Sequence, residues 1–225
     1  IASAVRVTRG PGDARFTVLK ETSIEIYADE LLEGFPGARM LQLLRDPRDN
    51  YAALAAGIES YYSKLGSDRL EVMMSLLFRC DLGFAAAERH ERERPDRFRS
   101  VRFEDLVASP RETLEATCEW LGISFEESLL TPTFFGASTT GNSFEGRVMR
   151  SISTENLGRW RDRIDAEEAM VLEHVLGDRM ERLGYARTFP MAEAARAAAR
   201  FYARANDRFF FRDPYDTDAP LPKAR

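Results

Sequence analysis

"ARMLQLLRDPRDNYAALAAG", residues 38–57, is the stretch whose reading decides the fold. An apolar run, Met40 to Leu44, breaks into Arg45-Asp46-Pro47-Arg48-Asp49 and then into an alanine-rich segment. The run is too continuously apolar for a half-exposed strand, so it reads as a strand buried on both faces, as parallel sheets require. Asp46 is placed to cap a helix and Pro47 to take its first position, where a missing N–H costs nothing. Two arginines therefore stand where a strand hands over to a helix. A guanidinium there, beside the N–H groups of a helix start, can grip a phosphate or sulfate through paired hydrogen bonds. The plainer reading is a cap network in which Arg45 and Arg48 pair with Asp46 and Asp49. The residues alone leave both open.

Working outward, residues 15–21 (RFTVLKE) read as a short strand. Residues 23–35 read as a helix with Ile24, Tyr27, Leu31 and Leu32 on one face, ended by Pro36-Gly37. Residues 47–65 and 68–93 read as helices parted by Gly66-Ser67, and Pro95 breaks the charged run that follows. Residues 98–106 (FRSVRFEDL) read as another strand. The next helix opens at Ser109-Pro110, with Glu112 in the capping-box position, and ends at Leu121-Gly122. Residues 131–156 are rich in Gly, Ser, Thr and Asn and read as a long loop, a helix spans about 165–183, and an Ala/Arg helix and aromatic-rich tail close the chain. There is no internal repeat. Strands alternating with helices predict an α/β fold, a mostly parallel β-sheet flanked by helices, with its ligand crevice beyond the carboxyl ends of the strands. Arg45 and Phe103-Glu104 fall at strand ends and are candidates to line one crevice.

Lys plus Arg number 32 against 37 Asp plus Glu, a net charge of −5. That balance argues against a dedicated nucleic-acid binder, so any anion site must be local. No apolar run approaches the roughly 20 residues of a membrane span. Cys80 and Cys118 lie in apolar helical patterns without metal-ligand neighbours, which predicts two buried thiols, no disulfide framework and no metal. With no leader pattern at Ile1, the expected location is cytoplasmic. His90 and His174, in polar helical surroundings, are expected at the surface.

"FPGARMLQLLRDPRDNYAA" (35–53) resembles the 3′-phosphate-binding segment of sulfotransferases that use 3′-phosphoadenosine 5′-phosphosulfate (PAPS). "VRFEDLVASPRETLEATCEWLGI" (101–123) resembles that family's Tyr-Glu-Asp-Leu strand and helix. "NLGRWRDRIDAEEAMVLEHVLGDRMERLGY" (156–185) resembles its Trp-containing closing segment and final helix. The match runs from about residue 18 to 185 in the expected order.

The resemblance implies a P-loop NTPase-like sulfotransferase fold over residues 1–185, with 186–225 as a helical, aromatic-rich extension. It implies an enzyme moving a sulfuryl group from PAPS, with no metal, to a hydroxyl or amine acceptor that could be a small molecule, a carbohydrate or a peptide. Arg45 would hold the 3′-phosphate. Ala53 stands where the family usually has a second, serine ligand. Phe103 replaces a tyrosine near the adenine. Arg159, Trp160 and Arg161 fall in a basic segment that closes over the phosphate, as would Arg147 and Arg150. Lys20 takes the place of the strand-end lysine beside the transferred group.

Two family features are missing. The loop that cradles the 5′-phosphosulfate is not found, since "TRGPGDARF" (8–16) reads as an ordinary turn, and it would lie upstream of Ile1. The histidine base of cytosolic members is replaced by Thr22, leaving Glu21, Glu25 or an upstream glutamate as the base. The alternative function is a non-catalytic nucleotide-binding or scaffold module that retains the 3′-phosphate pocket. Phe201, Tyr202 and the Phe209-Phe210-Phe211 run must be buried, against the domain or in a homo-oligomer.

Overall fold

Asp46 lies two residues past the end of one strand and caps the helix that follows, and the architecture is arranged about that junction. The computed structural model of the chain describes residues 18–22, 24–133 and 151–209. A 3-10 turn, Ile24–Tyr27, leads into helix α1 (Ala28–Gly34), and strand β1 (Met40–Leu44) follows after the Pro36-Gly37 turn. Helix α2 (Pro47–Ala55) comes next, then a π turn at Ile58–Tyr62, a 3-10 turn at Ser63–Leu65 and the long helix α3 (Arg69–Glu93). Strand β2 (Phe98–Arg102) passes directly into helix α4 (Phe103–Ala108), with α5 (Pro110–Leu121) behind it. After a 3-10 turn at Glu127–Leu130 come the short α6 (Trp160–Arg163), α7 (Ala166–Arg182) and α8 (Met191–Phe209).

β1 and β2 pair in parallel, in the register Met40 with Phe98 and Leu44 with Arg102, and the crossover between them contains α2 and α3. A parallel pair joined through helices is the predicted α/β arrangement. On one face the amide of Gln42 reaches Gly83 O of α3 at 3.0 Å and Phe98 stacks on His90 of α3. On the other, Arg99 donates to Ala116 O of α5 at 2.9 Å. Leu32, Leu44, Tyr51, Met73, Phe98, Leu172 and Met180 form the centre of the core.

β1 is not buried on both faces. Leu41 and Leu43 are 47% and 56% exposed, because α5 covers β2 and no described element covers β1 on that side. Phe103 to Leu106 belong to a helix rather than to the preceding strand. Glu104 and Asp105 there place two carboxylates in a first turn, where the helix dipole favours them. Of the predicted strand at 15–21, the described residues 18–21 carry no strand pairing and Val18, Leu19 and Lys20 are exposed. The helix expected over 47–65 stops at Ala55 and gives way to the π and 3-10 turns, and Gly66 at φ +80° ends that run.

The capping box expected at Ser109 and Glu112 does not form, since Ser109 closes α4 and opens α5 in one residue and its side chain makes no cap bond. A capping box forms instead at Asp165 and Glu168, at the start of α7. His90 is a correction too. It is fully buried, with Nε2 2.8 Å from an Arg89 nitrogen, because its face of α3 packs on β2. His174 is exposed as expected. Cys118 is buried and Cys80 partly so, and burial pushes the Cys80 thiol up to about 12. α8 lies along α7, burying Ala194, Ala197, Ala198, Phe201 and Ala205, whereas Tyr202 is exposed. Phe210 and Phe211 lie outside the described residues, and no helix among those residues is long and apolar enough to cross a membrane.

Candidate functional site

The cap network forms around Arg48 and Asp46, and Arg45 stands outside it. Asp46 caps α2 by accepting Arg48 N–H at 2.9 Å, and its carboxylate also takes Arg48 Nε at 3.0 Å and Nη2 at 2.6 Å. Arg48 Nη1 donates to Glu173 at 2.5 Å, Ala186 O at 3.1 Å and Thr188 Oγ1 at 3.1 Å. Arg48 is thus a buried structural cation with each of its three guanidinium nitrogens hydrogen-bonded. Its N–H is taken by the cap, so that group at the helix start is not free for an anion.

Arg45 is different. One step past β1, its guanidinium lies 4.7 Å from the Phe103 ring centroid and donates through Nη2 to Asn156 O at 3.2 Å. Its Nε is buried and has no hydrogen-bond partner, and no carboxylate lies within ion-pair distance among the described residues. A buried donor on a permanent cation costs stability unless a ligand meets it. The next residue is held by Glu104, whose Oε1 accepts Asp46 N–H at 2.9 Å while Oε2 accepts the Tyr185 hydroxyl at 2.9 Å. That bond joins the exit of β1 to the chain just past α7.

Asp49, one residue on from Arg48, is 3% exposed. Its two oxygens accept the N–H groups of Gly158 at 2.6 Å and Trp160 at 2.9 Å. Burial raises its pKa, and the Trp160 and Gly158 N–H groups oppose that rise. Trp160 is buried, with the guanidinium carbons of Arg48 and Arg161 over its ring at 4.6 and 4.5 Å and Phe189 beside it. Arg159 Nη1 donates to Asn156 Oδ1 at 2.8 Å, and Arg161 is exposed. The segment 156–161 is therefore stapled along the start of α2, next to Arg45.

Of the residues singled out in the sequence, Arg45, Phe103, Arg159, Trp160 and Arg161 come together here. Phe103 gives a ring face to Arg45, so that face is not open to an adenine. Trp160 serves as packing. Ala53 is exposed on α2 and carries no donor. Lys20 and Glu21 are exposed and share no hydrogen bond or ion pair with the Arg45 group among the described residues. Glu21 accepts Thr22 N–H at 2.7 Å and Thr22 Oγ1 at 3.2 Å, the first of which chiefly holds its pKa below the ordinary value. Glu25 lies against α3, near where a side chain on Gly83 would fall. Arg147 and Arg150 lie outside the described residues, and among those residues no group of His, Cys, Asp and Glu could hold a metal. Asn156 and Gly158 were not singled out by sequence, and Asp49, expected to pair with an arginine of the cap network, instead accepts the Gly158 and Trp160 N–H groups. An acid in a helix's first turn is too common a signal to reveal a long-range bond.

Residues 2–127, more than half of the chain, match the Sulfotransferase family. The chain belongs to the sulfotransferase family. The solved structure of a sulfotransferase domain from the curacin biosynthetic pathway is similar to it at 18% identity, covering 84% of this chain and 63% of that one, with a TM-score of 0.44. The sulfotransferase-family chain thus spans less than two thirds of that domain's length. The family match includes Lys20, Arg45, Ala53 and Phe103 and stops before the 156–161 segment.

Proposed function

We propose that this sulfotransferase-family chain supplies the 3′-phosphate side of a PAPS site, in an enzyme that sulfates a hydroxyl or amine acceptor. The observation that carries the reading is Arg45, a guanidinium aligned by Phe103 and Asn156 O with a buried Nε lacking a partner. A phosphate oxygen is the acceptor such a donor fits best, because the charge-assisted bond meets the orphaned N–H and the guanidinium together. Arg161, an exposed residue with its guanidinium over the Trp160 ring, provides a second cation where Ala53 provides no hydroxyl.

PAPS would bring the sulfuryl group as a substrate. The acceptor oxygen or nitrogen forms a bond to sulfur, the bond from sulfur to the bridging phosphate oxygen breaks, and the acceptor proton passes to a base. Lys20 is assigned to offset charge on the bridging oxygen. Glu21 is assigned as a proton acceptor, though the Thr22 bonds that keep it ionised also weaken it as a base. Glu25 is its competitor.

Calorimetry tests the reading. Adenosine 3′,5′-bisphosphate should bind the chain more tightly than adenosine 5′-monophosphate, and Arg45→Ala should reduce that preference by roughly tenfold to a hundredfold. Equal affinity for the two nucleotides in the unaltered chain would refute it.

A further inference from the structure

We propose that Asp49 is a positioning residue, a buried carboxylate that holds segment 156–161 in place so that the second cationic wall of the site is formed before a ligand arrives. The purpose assigned to this wall rests on the nucleotide reading above. The bond itself rests on geometry alone.

The connection spans 109 residues from Asp49 to Gly158 and 111 to Trp160, and both N–H groups converge on one carboxylate. Two charge-assisted bonds to one buried acceptor fix the direction of the intervening peptide as well as its distance. Gly158 adopts φ +69°, a region that side chains disfavour. A Cβ there would also meet Arg161 Nη1 at 2.8 Å. The turn therefore needs glycine for its backbone, and a side chain there would also displace the end of the Arg161 side chain from its place over Trp160. From the same short stretch, Asn156 O receives Arg45 and Asn156 Oδ1 receives Arg159. One carboxylate thus sets the placement of three arginines that it does not itself bind. Arg45 and Asp46 also exert charge effects on Asp49, and Arg48 is paired with Asp46 and Glu173. No other described group competes for the two N–H bonds.

Asparagine at position 49 keeps the shape but has one acceptor oxygen, and its NH₂ would face an N–H. Asp49→Asn should speed hydrogen exchange of the 158–160 amides at least tenfold. It should also reduce discrimination between adenosine 3′,5′-bisphosphate and adenosine 5′-monophosphate at least fivefold. Gly158→Ala should do the same from the other side of the contact, without touching α2. General destabilisation would weaken both nucleotides alike, so the ratio separates positioning from mere stability. Unchanged exchange in both variants overturns the latch, and faster exchange with an unchanged ratio overturns the positioning role. If the unaltered chain does not discriminate between the nucleotides, the nucleotide reading falls. The latch is then decided by exchange alone, upheld by faster exchange and overturned by none.

Discussion

Arg48 Nη1 lies 2.5 Å from Glu173 Oε1, across 125 residues of sequence, and the two side chains are 5% and 1% exposed. The other Glu173 oxygen accepts the N–H groups of Thr188 and Phe189 at 2.9 and 3.0 Å. This pair joins the start of α2 to the middle of α7 and to the turn before α8. Removing one partner strands a buried charge, which costs about 3–5 kcal/mol. Arg48→Met should therefore lower the denaturant midpoint sharply, while Arg48→Met with Glu173→Leu should recover part of the loss. A single mutant as stable as the parent in urea would contradict a fully buried pair.

Ala53 offers a gain-of-function test. If Arg45 and position 53 face one phosphate, Ala53→Ser supplies a hydroxyl donor worth about 1.5 kcal/mol, roughly tenfold in affinity for adenosine 3′,5′-bisphosphate. Stability should hardly change, because residue 53 is exposed. Titration of the serine variant at fixed ionic strength decides the matter, and no gain would place the ligand elsewhere along α2.

Lys20 and Glu21 should behave unlike Arg45. Exposed and unconnected to the Arg45 group, they should leave product binding nearly intact when changed to Ala and Gln. Turnover, in a protein that carries the phosphosulfate loop, should fall at least tenfold for Lys20→Ala. A parallel loss of product affinity would mean that Lys20 holds the nucleotide rather than the leaving oxygen.

His90 should make the chain acid-sensitive. Burial first, and Arg89 second, lower its pKa, and Nδ1 has no hydrogen-bond partner. Below about pH 6.5 the unfolded chain protonates this residue before the folded chain does. Its stabilising contribution is whole above that pH and is lost as pH falls through the lower folded-state value. His90→Gln should flatten the corresponding part of the stability-versus-pH curve, measured by urea unfolding. An unchanged slope would assign the acid sensitivity to other groups.

Phe201 should anchor α8. It is 4% exposed among the buried alanines that pack on α7. Phe201→Ala should cost about 3–5 kcal/mol and lower the melting temperature by roughly 10 °C. A melting temperature within 2 °C of the parent would show α8 to be a passive appendage.

The residues themselves determined the strand-to-helix junction at Arg45-Asp46-Pro47, the long helix α3 and the α/β class, because apolar runs, caps and prolines act over a few neighbouring positions. The family also followed from local patterns, read in order along the chain. The burial of β1 did not follow, since a strand's pattern records which faces are apolar and not which neighbours cover them. The strand reading of Phe103 to Leu106 failed for a related reason: apolar and acidic residues suit either state, and the packing of α4 against α5 selects the helix. Most of all, the separate roles of Arg45 and Arg48 were undecidable in one dimension. The two side chains are chemically identical and three residues apart. Arg48 became structural because Glu173 of α7 arrives beside it, and Arg45 kept an unmet donor on Nε because, among the described residues, the Phe103 ring and the Asn156 carbonyl are what meet it. Partners more than a hundred residues away in sequence, brought within about 3 Å by folding, decided which arginine could serve a ligand.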